Sequence, residues 1–139
     1  MKRNWTKAAV VVALAAGVTS AIAADYGDLG KLEYESSCIL CHGKDLKGGP
    51  TAKFFLKAMP PDLTQLSSKN AGVFPYERVY GVIDGRQDVA SHGTREMPIW
   101  GKAYQFKGSE CNADPYASEA YARGRISALV DYVHRMQTR

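Results

Sequence analysis

Apolar residues along this chain recur at helical rather than alternating spacing. From Ala8 to about Ala16 they form an unbroken run behind Lys2, Arg3 and Lys7, and small residues follow down to Ala21-Ile22-Ala23-Ala24. A helix is expected from about Asp28 to Ser37. Tyr76, Val79, Tyr80 and Ile83 mark another, with Pro75 at its first position and Gly85 as the residue that terminates it. A short helical piece is expected after Pro98. Ile126, Leu129, Val130, Val133 and Met136 repeat every three or four residues in a final helix, for which Asp114 is the N-cap and Pro115 the first residue. Between these lies a long irregular segment through Pro50, Pro60 and Pro61. Strand patterning is almost missing, so the expected class is all-α. Gly30 and Gly124 fall inside expected helices, where glycine costs about 1 kcal/mol relative to alanine. Gly30 therefore calls for a close-packed neighbour, whereas Gly124 is expected to kink or fray its helix.

The length of 139 residues, with 45% hydrophobic and 23% charged, fits one small globular domain and excludes disordered, fibrous or multi-domain classes. Eighteen basic residues against 14 acidic ones give a formal charge of +4, which on its face suggests nucleic acid. The first residues change that picture. A basic start, an apolar run and a small-residue end make residues 1–23 a secretory signal peptide, with alanine at both −1 and −3 when cleavage follows Ala23. Taking away those 23 residues, with their three basic groups, leaves 116 residues carrying 15 bases and 14 acids. The basic excess thus belonged mostly to the leader, and no nucleic-acid partner is expected. The leader's apolar stretch contains Gly17, Thr19 and Ser20 and barely reaches the roughly 20 residues that a bilayer span requires. Residues 24–139 are accordingly expected as one soluble, periplasmic domain without stable membrane insertion, in a compartment where disulfides persist.

Three cysteines, an odd number, cannot all pair within one exported chain. Cys38-Ile39-Leu40-Cys41-His42 has the form C-x-x-C-H, in which two thiols add to the vinyl groups of a haem and the adjacent histidine ligates its iron. Cysteines three apart present their sulfurs on one side of a helical turn. A disulfide, a thioredoxin-like redox pair or half of a zinc site would use the same residues. Zinc wants a second ligand pair at similar spacing, but His92, Cys111 and His134 are scattered singly. A thioredoxin-like pair wants a β-α-β unit, which the patterning does not offer.

Around that motif the sequence resembles the monohaem class I cytochromes c over nearly the whole mature chain. Gly30-x-x-x-Tyr34-x-x-x-Cys38-x-x-Cys41-His42-Gly43 is similar to that family's N-terminal helix running into the attachment turn. The resemblance implies several helices wrapped around one covalently bound haem c. It also implies that Gly30 and Tyr34 cross the C-terminal helix at Leu129 and Tyr132. Gly48-Gly49-Pro50 stands where the family places a proline whose carbonyl accepts the ligand histidine's second N–H, although an ordinary turn reads the same way.

The sixth position of the iron decides between carrying electrons and binding substrates. Met97 lies 55 residues past His42, far enough for the chain to return on the haem's other face. Pro98 disfavours helix at Met97 and leaves it in an extended strap, and the resembled family commonly has its axial methionine before proline. His92 is the rival, and would give a bis-histidine iron; Met59, 17 residues past His42, is another methionine in reach. His134 is expected at the surface.

A His/Met iron has no open position, so the expected function is periplasmic electron transfer rather than catalysis. The chain would serve as a shuttle or as the cytochrome subunit of a dehydrogenase, its partners being redox proteins such as a dehydrogenase and a terminal oxidase or reductase. A haem enzyme or a gas or peroxide sensor with an open sixth position is the alternative. Phe54, Phe55, Ile83 and Trp100 are expected to bury the haem, and Arg86 and Trp100 are candidates to reach its propionates against roles as surface charge and core aromatic. Cys111, left over by the haem and set among polar neighbours, is expected in an exposed loop, as an inert thiol or in a disulfide to a second chain.

Overall fold

The computed structural model describes residues 27–54, 56, 58–87, 99–111 and 114–138. Five α-helices account for its regular structure, and no strand occurs among the described residues. The first, α1, spans Leu29–Ser37 and starts where the Asp28 carboxylate accepts the Lys31 N–H at 3.1 Å. That bond satisfies one of the donors a helix start leaves open. α1 buries Gly30, Glu33 and Tyr34, three positions that share one face. Cys38 steps out of helical geometry, and the single turn α2, Ile39–His42, follows. Gly43 ends it at φ 75°, in the left-handed region that favours glycine.

Between α2 and the next long helix the chain makes three short 3₁₀ turns, at Ala52–Phe54, Leu63–Gln65 and Ser68–Asn70. Helix α3 covers Tyr76–Asp84, capped by Pro75 and closed by Gly85 at φ 93° with its N–H on the Gly81 carbonyl. Both ends fall within one residue of the expected ones. Helix α5, Pro115–Arg135, has the Asp114 carboxylate on the Tyr116 N–H and Pro115 at its first position, as the sequence predicts. At about 1.5 Å per residue its length is about 32 Å, and it runs on through Gly124, where an added β-carbon would meet open space. The expected fray is therefore not formed.

α5 is the axis of the molecule. It packs against α1, α3 and the helix α4, Trp100–Cys111, and supplies Ala122, Ile126, Leu129, Val130, Tyr132 and Val133 to the core. Where α1 crosses it, a β-carbon at Gly30 would overlap the Ala128 carbonyl and fall 2.8 Å from Tyr132 Cβ. Glycine is the residue that lets the two backbones approach. Beside it the rings of Tyr34 and Tyr132 lie 5.3 Å apart, and Leu129 is fully buried.

Helix α4, Trp100–Cys111, corrects the expectation of a short helical piece: it is 12 residues long. Its buried face is Gly101, Tyr104 and Gly108, a face that carries almost no hydropathy signal. Gly108 seats on α5 with Ser118, and Gly101 seats on Asp84 at the end of α3. Tyr104 reaches α1, where its hydroxyl donates to Glu33 Oε2 at 2.8 Å. The other Glu33 oxygen is paired with Arg125 of α5, whose guanidinium also donates to the Tyr121 hydroxyl at 2.7 Å. Glu33 is 2% exposed, so three helices meet on one buried carboxylate. No described helix is long and apolar enough to cross a membrane.

Candidate functional site

The C-x-x-C-H turn forms part of the wall of a cavity of about 370 Å³. Tyr34 and Cys38 of α1 and its end, His42 of α2, and Leu129 and Val133 of α5 make one side. Leu63 and Leu66 come from the irregular segment, and Val79, Val82 and Ile83 from α3. The lining is mostly apolar. Its polar groups are Asp62, Lys69, Asn70 and Arg78, from the second and third 3₁₀ turns and the first half of α3.

The turn itself is held by its carbonyls. A helix end leaves carbonyls without partners within the helix, and here each of four consecutive ones is met from outside. The Thr51 hydroxyl donates to the Leu40 carbonyl at 2.8 Å and the Gly49 N–H to that of Cys41 at 2.7 Å. The Gly48 N–H donates to the His42 carbonyl at 2.8 Å, and the buried Tyr34 hydroxyl to that of Gly43 at 2.6 Å. A β-carbon on Gly49 would stand 2.6 Å from the Leu40 carbonyl oxygen, so that close approach excludes any larger residue without a shift. The glycines of Gly48-Gly49-Pro50 thus staple the motif.

The cysteines differ in environment. Cys38 is buried, Cys41 half-buried and Cys111 exposed, and all three are free thiols. Burial, followed by the neighbouring Cys41, pushes the Cys38 thiol up to about 12. A catalytic dithiol needs an acidified sulfur, so the direction opposes thioredoxin-like chemistry. Among the described residues no three His, Cys, Asp or Glu side chains come together in a group that could hold a metal ion. Burial also pushes the Tyr34 phenol well above its ordinary value, so it stays a neutral donor to Gly43.

Met97 and His92, the candidate sixth ligands, lie outside the described residues, as do residues 1–23, expected as a leader, and Phe55. Met59 is 50% exposed and Met136 caps α5; neither lines the cavity. His134 is exposed and stacks on Phe74 with ring centres 4.5 Å apart, away from the cavity as expected.

Several secondary expectations are corrected. Phe54 is 72% exposed and cannot bury a cofactor. Its ring instead lies under Lys53. Ile83 does line the cavity, whereas Trp100 is half-buried against Tyr104, 6.0 Å between ring centres. Arg86 is paired with Asp84 and reaches toward Glu119, outside the lining, so the cations at the cavity are Arg78 and Lys69. Cys111 is exposed but ends α4 rather than sitting in a loop.

Sequence reasoning missed the Glu33–Tyr104–Arg125 cluster and the basic edge at Lys69 and Arg78. A charged residue on a helix face shared with Gly30 and Tyr34 was the signal for the first. The chain matches no known family model, no curated protein and no solved structure.

Proposed function

We propose that this chain is a periplasmic electron-transfer protein of the class I cytochrome c kind, built around one covalent haem c. The observation that carries the reading is the placement of Cys38 and His42, from one C-x-x-C-H turn, on the wall of a mostly apolar cavity of about 370 Å³. Cys38 and Cys41 would hold the group through thioethers and His42 would ligate its iron, with Met97 as the sixth ligand. When bound, the haem supplies a one-electron couple, Fe(III)/Fe(II), whose potential is set by its axial ligands and surroundings.

The chain's own residues support that use. Leu63, Leu66, Val79, Ile83, Leu129 and Val133 keep water from a planar apolar group. Burial of this kind favours the less charged, reduced form. Arg78 and Lys69 put cations at the cavity's polar edge, where a carboxylate-bearing end of the cofactor is stabilised. Thr51, Gly49, Gly48 and Tyr34 fix the turn that orients His42. Donor and acceptor are redox proteins, for which the chain acts as a shuttle or a docked subunit.

Haem staining after denaturing electrophoresis tests the reading in protein exported by a host that attaches haem to C-x-x-C-H. A stained band in the natural chain and none in Cys38→Ala/Cys41→Ala is the expected result. An unstained natural chain overturns it. Rapid carbon monoxide binding by the stained, reduced protein turns the reading toward an enzyme or sensor with an open position.

A further inference from the structure

The two residues that follow the last full turn of α5 are bound into the cavity's far wall. Gln137 uses both donors of its amide, giving one to the Leu63 carbonyl at 2.7 Å and one to the Val133 carbonyl at 2.9 Å. Its oxygen accepts the Ser67 N–H at 2.9 Å. Thr138 donates its N–H to the Thr64 carbonyl at 3.0 Å and its hydroxyl to the same oxygen at 3.2 Å. That hydroxyl also accepts from Gln65 Nε2 at 2.7 Å. Every residue from Leu63 to Ser67 except Leu66 is thereby touched by the tail. Leu63 and Leu66 are the apolar residues this segment sends to the cavity, and the adjoining wall is Leu129 and Val133 of α5 itself.

The segment's remaining bonds are mostly local: the Asn70 and Gly72 N–H groups donate to the Ser67 carbonyl at 3.0 and 2.9 Å, and the Ser68 hydroxyl to that of Gln65 at 3.0 Å. On its other side the Leu63 N–H donates to the Leu46 carbonyl at 2.8 Å, and the Asp62 carboxylate caps the turn locally. A 3₁₀ turn of three residues has no stability of its own. Leu63 and Leu66 are only partly buried, so their packing alone fixes the wall weakly.

We propose that the C-terminal tail is a clasp: Gln137 and Thr138 tie the 62–67 segment to the end of α5 and so set the width and dryness of the cavity. Gln137 is then a positioning residue for the occupant, acting through Leu63 and Leu66 without touching it. The site being positioned is the haem cavity of the proposed function, and the inference rests on that reading for its redox consequence. Its structural half stands alone.

The test uses the full chain with haem attached, as Gln137→Ala and Gln137→Glu. Glutamate keeps an acceptor for Ser67 but loses both donors and sets a charge against the Leu63 carbonyl. Hydrogen exchange at the amides of Leu63 through Ser67 is expected to quicken about tenfold in both variants, the scale of one lost hydrogen bond in a local opening, with α1 unchanged. The midpoint potential is expected to fall as water gains the cavity. Unchanged exchange in the segment overturns the clasp, as does an equal rise in α1, which would make the tail a general stabiliser. Local opening with no change in potential overturns its control of the cavity. A natural chain without haem removes the electron-transfer reading instead, and exchange in the segment still decides the clasp.

Discussion

Tyr34 shows how much one side chain does here. Its ring packs on Tyr132 at the α1–α5 crossing while its hydroxyl, 2.6 Å from the Gly43 carbonyl, closes the C-x-x-C-H turn. Tyr34→Phe keeps the ring and strands the carbonyl, so urea unfolding should show a loss of about 1–2 kcal/mol. Asp62 gives a pH dependence. The Thr64 hydroxyl and N–H both donate to its carboxylate, at 2.6 and 2.8 Å, and hold it below the ordinary aspartate range. A carboxyl depressed by folding contributes stability above its unfolded pKa and loses it as pH falls through the folded one. Thermal unfolding followed from neutral pH downward should therefore show Asp62→Asn indifferent to a step that the natural chain displays below the usual aspartate value of 3.8. Cys38 and His42 were named from spacing alone, and the structure brings both to one cavity wall. The four carbonyl contacts of the turn were not legible in the sequence, because they depend on where Thr51 and Tyr34 arrive in space.

The helices divide by the kind of face they bury. α3 and α5 show large apolar residues at helical spacing and carry cap signals, Asp114-Pro115 and Gly85, so both were readable within about a residue. α4 was underestimated because its inward positions are Gly101, Tyr104 and Gly108, and two glycines leave no hydrophobic stripe. What binds α4 to α1 is polar, through Tyr104 and Glu33. A buried acid paired with Arg125 reads as two surface charges when only the sequence is seen. Removing one partner of such a pair costs about 3–5 kcal/mol, because the other charge stays buried. Arg125→Met should thus lower the midpoint of chemical unfolding sharply. Glu33→Leu/Arg125→Met should recover most of the loss, and a double variant no better than the single one would show that the pair is not the coupled unit.

At the scale of the whole molecule, one long helix and one cavity organise the chain. α5 carries the crossing with α1, the arginine of the buried charge cluster, two residues of the cavity lining and, through Gln137 just past its end, the 62–67 segment. The class, all-α, was expected from the pattern, and the contact of the first helix with the last was implied by the family resemblance. The exposure of Phe54 and the place of Arg78 were not, since neither follows from local periodicity. Met97→Ala tests the proposed ligand set independently of the described residues. The reduction potential should drop by on the order of 100 mV, given how widely axial ligands move it, and the reduced protein should take up carbon monoxide quickly. A chain unchanged in both properties would make His92 the residue to replace next.

The uneven burial of the cysteines bears on the order of events in the making of this protein. Cys38, closed in by α1 and α5, is the sulfur an external reagent reaches least, while Cys41 is half-open and Cys111 lies at the surface. Thiol chemistry runs through the thiolate, and a thiol pushed up to about 12 offers almost none near neutral pH. A finished fold is therefore a poor substrate for modification at Cys38. On the proposed haem reading, covalent loading would fall to the still unpacked chain, before α1 docks on α5, and assembly would become a race between attachment and closure. In the folded apo-chain a small alkylating agent should label Cys111 first, Cys41 next and Cys38 last, and mild urea should erase the difference. Faster labelling of Cys38 than of Cys41 would place attachment after folding.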